Sequence, residues 1–323
     1  MLTAHEIVSG QMVTTSSLET LSSKPVWIDL LYPTPEEEAA VEKLLSIDVP
    51  TRAEMREIEA SNRLYTEQGA YFMTALIGHS IDNGAPQFSS ITFILAASTL
   101  VTVRYTEPKS FPLFAARVAK GEAPIGTGAT LLAGLLEAMV QRKADLIESV
   151  QDEVNRLGTV VFDIKGGQQT RAKRLDVALR TIGRLGEEAS RSEESANSMD
   201  RLLIYLIEAM QARKDAVADI QRIDVVRRDI GSLLDQLNYL SERITFLLQA
   251  VLGMISIEQN QIIKLFSVMA VMLMPPTLVA SIYGMNFQHM PELKWQLGYP
   301  AALLLMLLAA VVPYVYFRRR GWM

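Results

Sequence analysis

The pattern of hydrophobic and polar positions changes near residue 260. Before that point apolar residues alternate with charged ones, whereas two later stretches, Leu265–Met285 and Trp295–Phe317, carry no charge over 21 and 23 residues. A helix of 21 residues is about 31 Å long, which matches the hydrocarbon thickness of a bilayer. Two such stretches joined by a short polar loop predict two transmembrane helices and disfavour buried helices of a soluble protein.

A long helix is predicted directly before the first stretch. Pro275 and Pro276 lie deep inside the stretch, where proline kinks a helix more often than it ends it. With no earlier breaker, the pattern predicts one helix over about Asp219–Gly284. Its apolar residues recur at intervals of three and four, which is typical of packing against copies of itself or against neighbouring helices. This seam consists of Ile230, Leu233, Leu237, Leu240, Ile244, Leu247, Val251 and Met254.

The preceding residues predict an α+β domain followed by a helical hairpin. Thr34 and Glu37 form a capping-box pattern around Pro35, which predicts the start of a helix. Helical periodicity begins near Thr130, and Gly166-Gly167 separates two long helices. The predicted strands are Val26–Leu31, Tyr71–His79, Ser89–Ala97 and Thr99–Tyr105, with a turn at Asp82-Asn83-Gly84.

These elements give a predicted domain organisation. We expect a cytoplasmic α/β domain at 1–125, a helical hairpin at 126–215, a stalk helix with the first span at 216–285, an external loop at 286–294, a second span at 295–317 and a basic tail at 318–323. The stalk would be continuous with the first of the two transmembrane helices.

Composition excludes several classes of function. The chain has no cysteine, which rules out disulfides and thiolate metal sites. Its net charge is −5, and the basic residues form no stripe interleaved with aromatics, so nucleic-acid binding has no support. His5, His79 and His289 belong to no nucleophile–base constellation, and no phosphate-binding glycine motif occurs. We therefore expect neither an enzyme nor an ATP-driven pump, and no organic cofactor.

Charges flanking the two spans predict their orientation. Lys264 precedes the first span, and Arg318, Arg319 and Arg320 follow the second, whereas the loop between the spans holds one Glu and one Lys. Positive-inside counting places both termini in the cytoplasm. We expect the membrane to be a bacterial-type inner (plasma) membrane. Aromatic residues that would anchor the spans at the interfaces are Trp295, Tyr299, Tyr314, Tyr316 and Trp322.

One face of the first span is small and polar. Such a face fits either a close-packed helix interface or a pore wall, and asparagines at both ends (Asn260 and Asn286) favour the pore. Neutral oxygens suit hydrated Mg²⁺, which loses its water reluctantly, whereas Zn²⁺ or copper would need His, Cys or carboxylate ligands within the spans. The stripe consists of Asn260, Ser267, Ala270, Met274, Thr277, Ser281 and Gly284.

The outer end of the first span carries a specific motif. Tyr283-Gly284-Met285-Asn286 is followed by Met290-Pro291-Glu292-Leu293, by Gly298-Tyr299-Pro300, by the second span and by a basic end. This arrangement resembles the CorA family of Mg²⁺ channels. The resemblance is strong over about residues 255–323 and rests on architecture over the rest.

The resemblance implies a funnel-shaped homopentamer with an intracellular α/β domain and a pore formed by the first span. Gly284, Met285 and Asn286 would form the outer selectivity filter. Asn260, Met274 and Thr277 match pore positions of the family, and Glu292 would concentrate cations at the mouth. Lys264 and Arg318–Arg320 resemble a basic cytoplasmic ring. Opposing acidic helices fit Glu187, Glu188, Glu193 and Glu194.

Regulation and selectivity are implied less directly. The family closes when Mg²⁺ binds to cytoplasmic carboxylates, for which Asp82, Asp224 and Asp229 are the candidates. Gln288 stands where the family often has an acid, and His289 replaces an aromatic residue, which makes the mouth less acidic. A related branch that moves Zn²⁺ with protons is one alternative function. A membrane-tethered signalling or structural protein, in which the stalk only oligomerises, is another.

Overall fold

The computed structural model describes residues 1–8, 11–57, 59–79, 86–163, 168–285, 290–291 and 295–322. The strands are β1 (Leu2–Val8), β2 (Gln11–Thr15), β3 (Trp27–Leu31), β4 (Leu64–Glu67), β5 (Ala70–His79), β6 (Gln87–Ala96) and β7 (Thr99–Arg104). The helices are α1 (Pro35–Leu45), α2 (Ala60–Arg63), α3 (Ser110–Ala119), α4 (Gly128–Phe162), α5 (Gln168–Arg213), α6 (Val217–Tyr283) and α7 (Gly298–Arg319).

The strands form one mixed sheet in the order β2-β1-β3-β7-β6-β5-β4. Neighbours are antiparallel except β3 and β7, which run parallel. Successive side chains of β3 serve opposite faces of the sheet: Trp27 joins a core formed with α3, α4, α5 and α6, whereas Ile28 joins a core with α1. The sheet is therefore covered by helices on both faces.

The predicted fold class is confirmed in its main elements. The Thr34 hydroxyl accepts from the Glu37 amide and the Glu37 carboxylate accepts from the Thr34 amide, which is the predicted capping box. Four predicted strands match β3, β5, β6 and β7 to within one or two residues. The predicted Asp82-Asn83-Gly84 turn and the Gly166-Gly167 break lie outside the described residues. Sequence reasoning missed β1, β2, β4, α2 and α3.

The predicted long helix matches α6 closely, and its apolar seam packs within the chain. Ile230, Leu237 and Leu240 are almost fully buried. A Cβ built on Gly186 of α5 would lie 3.9 Å from the Ile244 side chain, and one on Gly158 of α4 would lie 3.9 Å from Leu247. The small residues on α4 and α5 therefore let α6 approach closely. Of the two partners that the sequence left open, neighbouring helices of the same chain cover this part of the seam.

The chain divides into two compact units. The first contains Met1–Asp163 and Leu179–Leu247, with the sheet and its helices. The second contains Ile164–Ala178 and Leu248–Met323, with the two apolar helical segments. In the second unit Val268 and Ala302 are buried, whereas most of the apolar side chains around them are exposed.

A buried ion pair joins the two parallel strands of the first unit. Arg104 donates through Nε and Nη2 to the Asp29 carboxylate at 3.0 and 2.7 Å, and through Nη1 to the Thr106 carbonyl. The Thr102 hydroxyl donates to Asp29 at 2.7 Å and accepts from the indole N–H of Trp27. These bonds satisfy polar groups that would otherwise be costly to bury.

A buried lysine ties α4 to α5 and the sheet. Lys143 is 6% exposed, and its Nζ donates to the Ser195 hydroxyl at 2.6 Å. That hydroxyl donates to the Leu76 carbonyl at 2.6 Å, and the Leu76 amide donates to the Ser198 hydroxyl at 3.0 Å. Because burial disfavours the ammonium form, the pKa of Lys143 falls from 10.5 to about 7.

The depressed Lys143 pKa makes the stability of the first unit depend on pH. Between about pH 7 and pH 10 the unfolded chain binds more protons than the folded chain, so the contribution of this group to stability rises with pH. Lys143→Met removes the charge that has to be buried. We expect its Tm to exceed that of the parent by about 5 °C or more at pH 7, since 1 kcal/mol shifts Tm by roughly 2–4 °C in a domain of this size.

That difference in Tm should shrink as the pH approaches 10, and thermal unfolding of detergent-purified protein across this range measures it. Lys120→Met at an exposed position is the matched control and should leave Tm unchanged at every pH. A difference between Lys143→Met and the parent that is independent of pH would contradict the analysis.

Candidate functional site

The small and polar stripe lies on the C-terminal half of α6 and ends at Gly284, directly after the helix. Asn260, Ser267, Met274 and Ser281 are spaced by seven residues, which is close to two helical turns. All seven residues of the stripe are exposed in the single chain, and Met274 is 69% exposed. They are therefore available to face water, ions or another helix.

Two consecutive prolines remove backbone hydrogen bonds from this part of α6. Pro275 and Pro276 have no amide hydrogen, so the carbonyls of Val271 and Met272 receive no helical hydrogen bond from them. The next position is Thr277, whose hydroxyl donates to the Leu273 carbonyl at 2.7 Å. Because its hydrogen is committed to the backbone, the Thr277 oxygen presents lone pairs outward. It is an acceptor for the hydrogens of a passing water or of a hydrated cation.

The helix ends where the motif begins. α6 stops at Tyr283, and the Gly284 amide donates to the Ala280 carbonyl at 3.0 Å. A Cβ at Gly284 would lie 3.1 Å from that same carbonyl oxygen, a tighter contact than most side chains make. Gly284 and Met285 are exposed at this end. Asn286, the main predicted selectivity residue, and Glu292 of the loop lie outside the described residues.

Four basic side chains lie at the ends of the two apolar segments. Arg318 and Arg319 occupy the last turn of α7, Arg320 caps it, and Lys264 lies on α6 just before the apolar run. All four are exposed. The Lys264 ammonium nitrogen is 5.9 Å from the centre of a Trp322 ring. The structure therefore brings the start of the apolar run of α6 close to the C-terminal end of α7.

The acidic residues of α5 are partly neutralised by arginines of the same chain. Glu187 pairs with Arg191 at 3.1 Å, and Glu188 pairs with Arg184 at 2.6 Å. Arg184 also contacts Glu153 of α4. Glu187 and Glu188 therefore form ion pairs within their own helix.

Two of the three candidate regulatory carboxylates, Asp224 and Asp229, lie on α6 among the described residues. Asp224 accepts from Arg228 at 2.5 Å, and Asp229 lines a cavity of about 490 Å³ beside Glu137 and Arg222, which are themselves paired. Asp82 lies outside the described residues. Over the described ranges, no group of three or more His, Asp or Glu side chains lies close enough to hold a metal ion.

The histidines inside the described residues have structural partners. His5 stacks on Trp27 with ring centres 4.6 Å apart and is hydrogen-bonded to the Thr14 hydroxyl, and burial lowers its pKa to about 4. His79 is hydrogen-bonded to Ser89 at 3.3 Å. Each of these hydrogen bonds joins two neighbouring strands of the sheet, β1 to β2 for His5 and β5 to β6 for His79.

Sequence reasoning missed the arrangement around Gly321. It treated Trp322 only as one of several interfacial aromatics, whereas the structure places this ring against Phe317 as well as near Lys264. The available signal was a glycine directly after a basic last turn, which often marks the C-terminal cap of a helix.

Comparisons with known proteins agree with this architecture. α6 and α7 each contain a segment long and apolar enough to cross a membrane. The structure is similar to that of the CorA magnesium transporter from Methanocaldococcus jannaschii, with a TM-score of 0.78, 18% identity and coverage of 100% of this chain and 99% of the other. It also resembles the ZntB cytoplasmic domain from Vibrio parahaemolyticus, with a TM-score of 0.58, 11% identity and coverage of 78% and 96%. At these identities the likeness shows the fold alone.

Sequence relationships identify the family. The chain is 34% identical to the magnesium transport protein CorA of Escherichia coli K12 over 328 residues, which covers all of both chains. It is equally similar, at 34% over 325 residues, to the protein of the same name from Salmonella typhimurium. Residues 22–319 match the model of the CorA-like Mg²⁺ transporter protein. The chain therefore belongs to the CorA-like Mg²⁺ transporter family.

Proposed function

We propose that this chain conducts divalent cations, chiefly Mg²⁺, into the cytoplasm down their electrochemical gradient. The observation that carries the proposal is the exposed stripe of small and polar residues on the apolar half of α6. A helix that only packed against lipid would gain nothing from hydroxyl and amide groups there. The relatives named as magnesium transport proteins support the choice of ion.

The chemistry of the stripe suits a hydrated cation. Mg²⁺ holds its water tightly, so a path that accepts hydrogen bonds from that water avoids the cost of dehydration. The outward lone pairs of Thr277, the hydroxyls of Ser267 and Ser281 and the amide of Asn260 provide acceptors at intervals along the helix. Met274 places a flexible apolar side chain between them, which can narrow the path and expel water from it.

The proposal includes a homopentamer in which α6 of each subunit lines one axis. Asn286 of each subunit would then form a ring at the outer end that selects the hydrated ion. Gly284 would leave its backbone accessible, and Glu292 would attract cations to the mouth. In this arrangement both termini lie in the cytoplasm, and α7 contacts the lipid of a bacterial-type inner membrane.

Closure by cytoplasmic Mg²⁺ is the regulatory part of the proposal. No single chain supplies a cluster of metal-binding carboxylates within the described residues. We place the regulatory site between subunits, with Asp224 and Asp229 of one subunit and Asp82 of a neighbour as the candidate ligands. Mg²⁺ bound between subunits would hold them together and keep the pore closed, and loss of the ion would release them.

The membrane potential alone should drive transport. At about 100 mV, inside negative, the free energy of a divalent cation falls by about 4.6 kcal/mol when it enters. Purified protein in liposomes with a trapped Mg²⁺ dye should show entry when the inside is negative, with no pH gradient. Zn²⁺ entry that requires a proton gradient, with little Mg²⁺ entry, would instead support the Zn²⁺-transporting alternative that His289 keeps open.

The selectivity role of Asn286 is tested by Asn286→Ala. We expect it to abolish Mg²⁺ flux or to lose discrimination among cations, because the amides that accept from the hydrated ion are gone, while size-exclusion chromatography shows the same assembly. Asn238→Ala, at an exposed asparagine in the soluble part of α6, is the matched control. Flux through Asn286→Ala equal to that of the control would remove the filter hypothesis.

The regulatory carboxylates are tested together. Asp82→Asn, Asp224→Asn and Asp229→Asn in one chain should raise the internal Mg²⁺ concentration needed to close the pore by about tenfold or more, since each lost charge–metal contact weakens the site. A triple variant at the exposed Asp145, Asp152 and Asp235 removes the same charge elsewhere. Closure at an unchanged Mg²⁺ concentration would show that the regulatory site lies elsewhere.

A further inference from the structure

The C-terminal end of α7 is held in a defined shape by a helix cap. The Trp322 amide donates to the Phe317 carbonyl at 3.1 Å, and the Gly321 amide donates to the Arg318 carbonyl at 3.2 Å. Gly321 has φ +69°, a conformation that side chains other than glycine rarely adopt. This is the Schellman arrangement, which reverses the chain and packs the residue beyond the cap against the last turn.

The cap directs one aromatic ring between two helices. Trp322 stacks on Phe317 with ring centres 5.3 Å apart and an angle of 30° between their planes. The Lys264 ammonium nitrogen of α6 is 5.9 Å from the Trp322 ring, and the Arg320 guanidinium is 5.5 Å from the Tyr316 ring. Each pair is within the range of a cation–π contact. We call Lys264, Tyr316, Arg318, Arg319, Arg320 and Trp322 together the basic-aromatic cluster.

The cations of this cluster are available to an anion. Among the described residues, Lys264 and Arg318–Arg320 form no ion pair with a carboxylate. All four side chains are exposed. The contrast with α5 is clear, because there Arg184 and Arg191 are committed to glutamates. Four like charges that have no carboxylate partner among the described residues repel one another and favour a bound counter-ion.

The position of the cluster selects the kind of anion. Lys264 directly precedes one uncharged apolar stretch and Arg318 directly follows the other, so the cluster lies at the level where hydrocarbon gives way to headgroups. On α7 the adjoining side chains Val311, Val312 and Val315 are apolar and exposed. A phospholipid can place its phosphate among the cations and its acyl chains against these valines, whereas a free phosphate can use only the first contact.

We propose that the basic-aromatic cluster binds the headgroup of an anionic phospholipid and thereby joins the cytoplasmic ends of α6 and α7. Arg318, Arg319 and Arg320 supply paired N–H donors that fit a phosphate, and Lys264 adds a point charge from the other helix. Trp322 holds Lys264 near the arginines and lies at the interface. Binding depends on the two segments crossing a bilayer but not on which ion the protein conducts.

Competition between lipids tests the proposal. Detergent-purified full-length protein is titrated with equal amounts of phosphatidylglycerol and phosphatidylcholine, and native mass spectrometry counts the lipids retained per subunit. We expect phosphatidylglycerol to be preferred by about tenfold or more, because its net negative headgroup is attracted by all four basic side chains whereas the headgroup of phosphatidylcholine carries no net charge. Glycerol phosphate at the same concentration should not displace the lipid.

Variants distinguish lipid binding at this cluster from a general attraction between positive charge on the protein and anionic lipid. Arg318→Gln with Arg319→Gln and Arg320→Gln should reduce the preference to near unity. Trp322→Leu keeps every charge and should reduce it severalfold by releasing Lys264. The matched control, Arg52→Gln with Arg56→Gln and Arg201→Gln, removes the same charge from exposed positions of the first unit and should preserve the preference.

Three results would overturn the proposal. The first is equal retention of the two lipids by the parent protein, and the second is displacement of the lipid by glycerol phosphate. The third is an unchanged preference in Trp322→Leu, which would reduce the cluster to a diffuse positive charge.

Discussion

A helix that crosses hydrocarbon has to satisfy its own backbone hydrogen bonds, because no water is present to do so. α6 meets this constraint as one helix of 67 residues that begins in the first unit and ends at Tyr283, next to the predicted filter. The same periodicity therefore places leucines against α4 and α5 in its first half and hydroxyls and amides on an exposed face in its second half. The two prolines are the exception, because they leave the carbonyls of Val271 and Met272 without a helical donor inside the apolar segment.

Much of the fold was predictable because its signals are local. The capping box at Thr34 and the uncharged stretches need no knowledge of the tertiary structure, and the bounds predicted for α6 differ from the observed ones by two residues or fewer. β1 was missed for a physical reason. Its His5 and Glu6 are polar yet buried, because His5 stacks on Trp27 and Glu6 accepts from the Ser22 and Ser23 amides. Hydropathy does not reveal polar groups whose partners come from elsewhere in the chain.

The candidate site also has a part that the sequence predicts and a part that it does not. The stripe on α6 follows from helical spacing, but spacing alone fits a packed interface as well as a pore. The choice of Asn286 rests on the family motif, since its neighbours in the sequence do not define a ligand set. Asp224 and Glu188 pair with arginines four residues away on the same helix, and these arginines compete for the carboxylates with any metal or neighbouring subunit.

The order of elements along the chain has a consequence for biosynthesis. The core against one face of the sheet includes Ile223, Val226 and Ile230 of α6. The first unit therefore cannot complete its packing until this part of α6 has left the ribosome. The first membrane segment begins soon afterwards in the same helix. Domains fold as units during synthesis, from the N-terminus onward. Closure of this core and delivery of the first span to the insertion machinery should therefore coincide, so a delay in insertion would leave an apolar helix exposed to water.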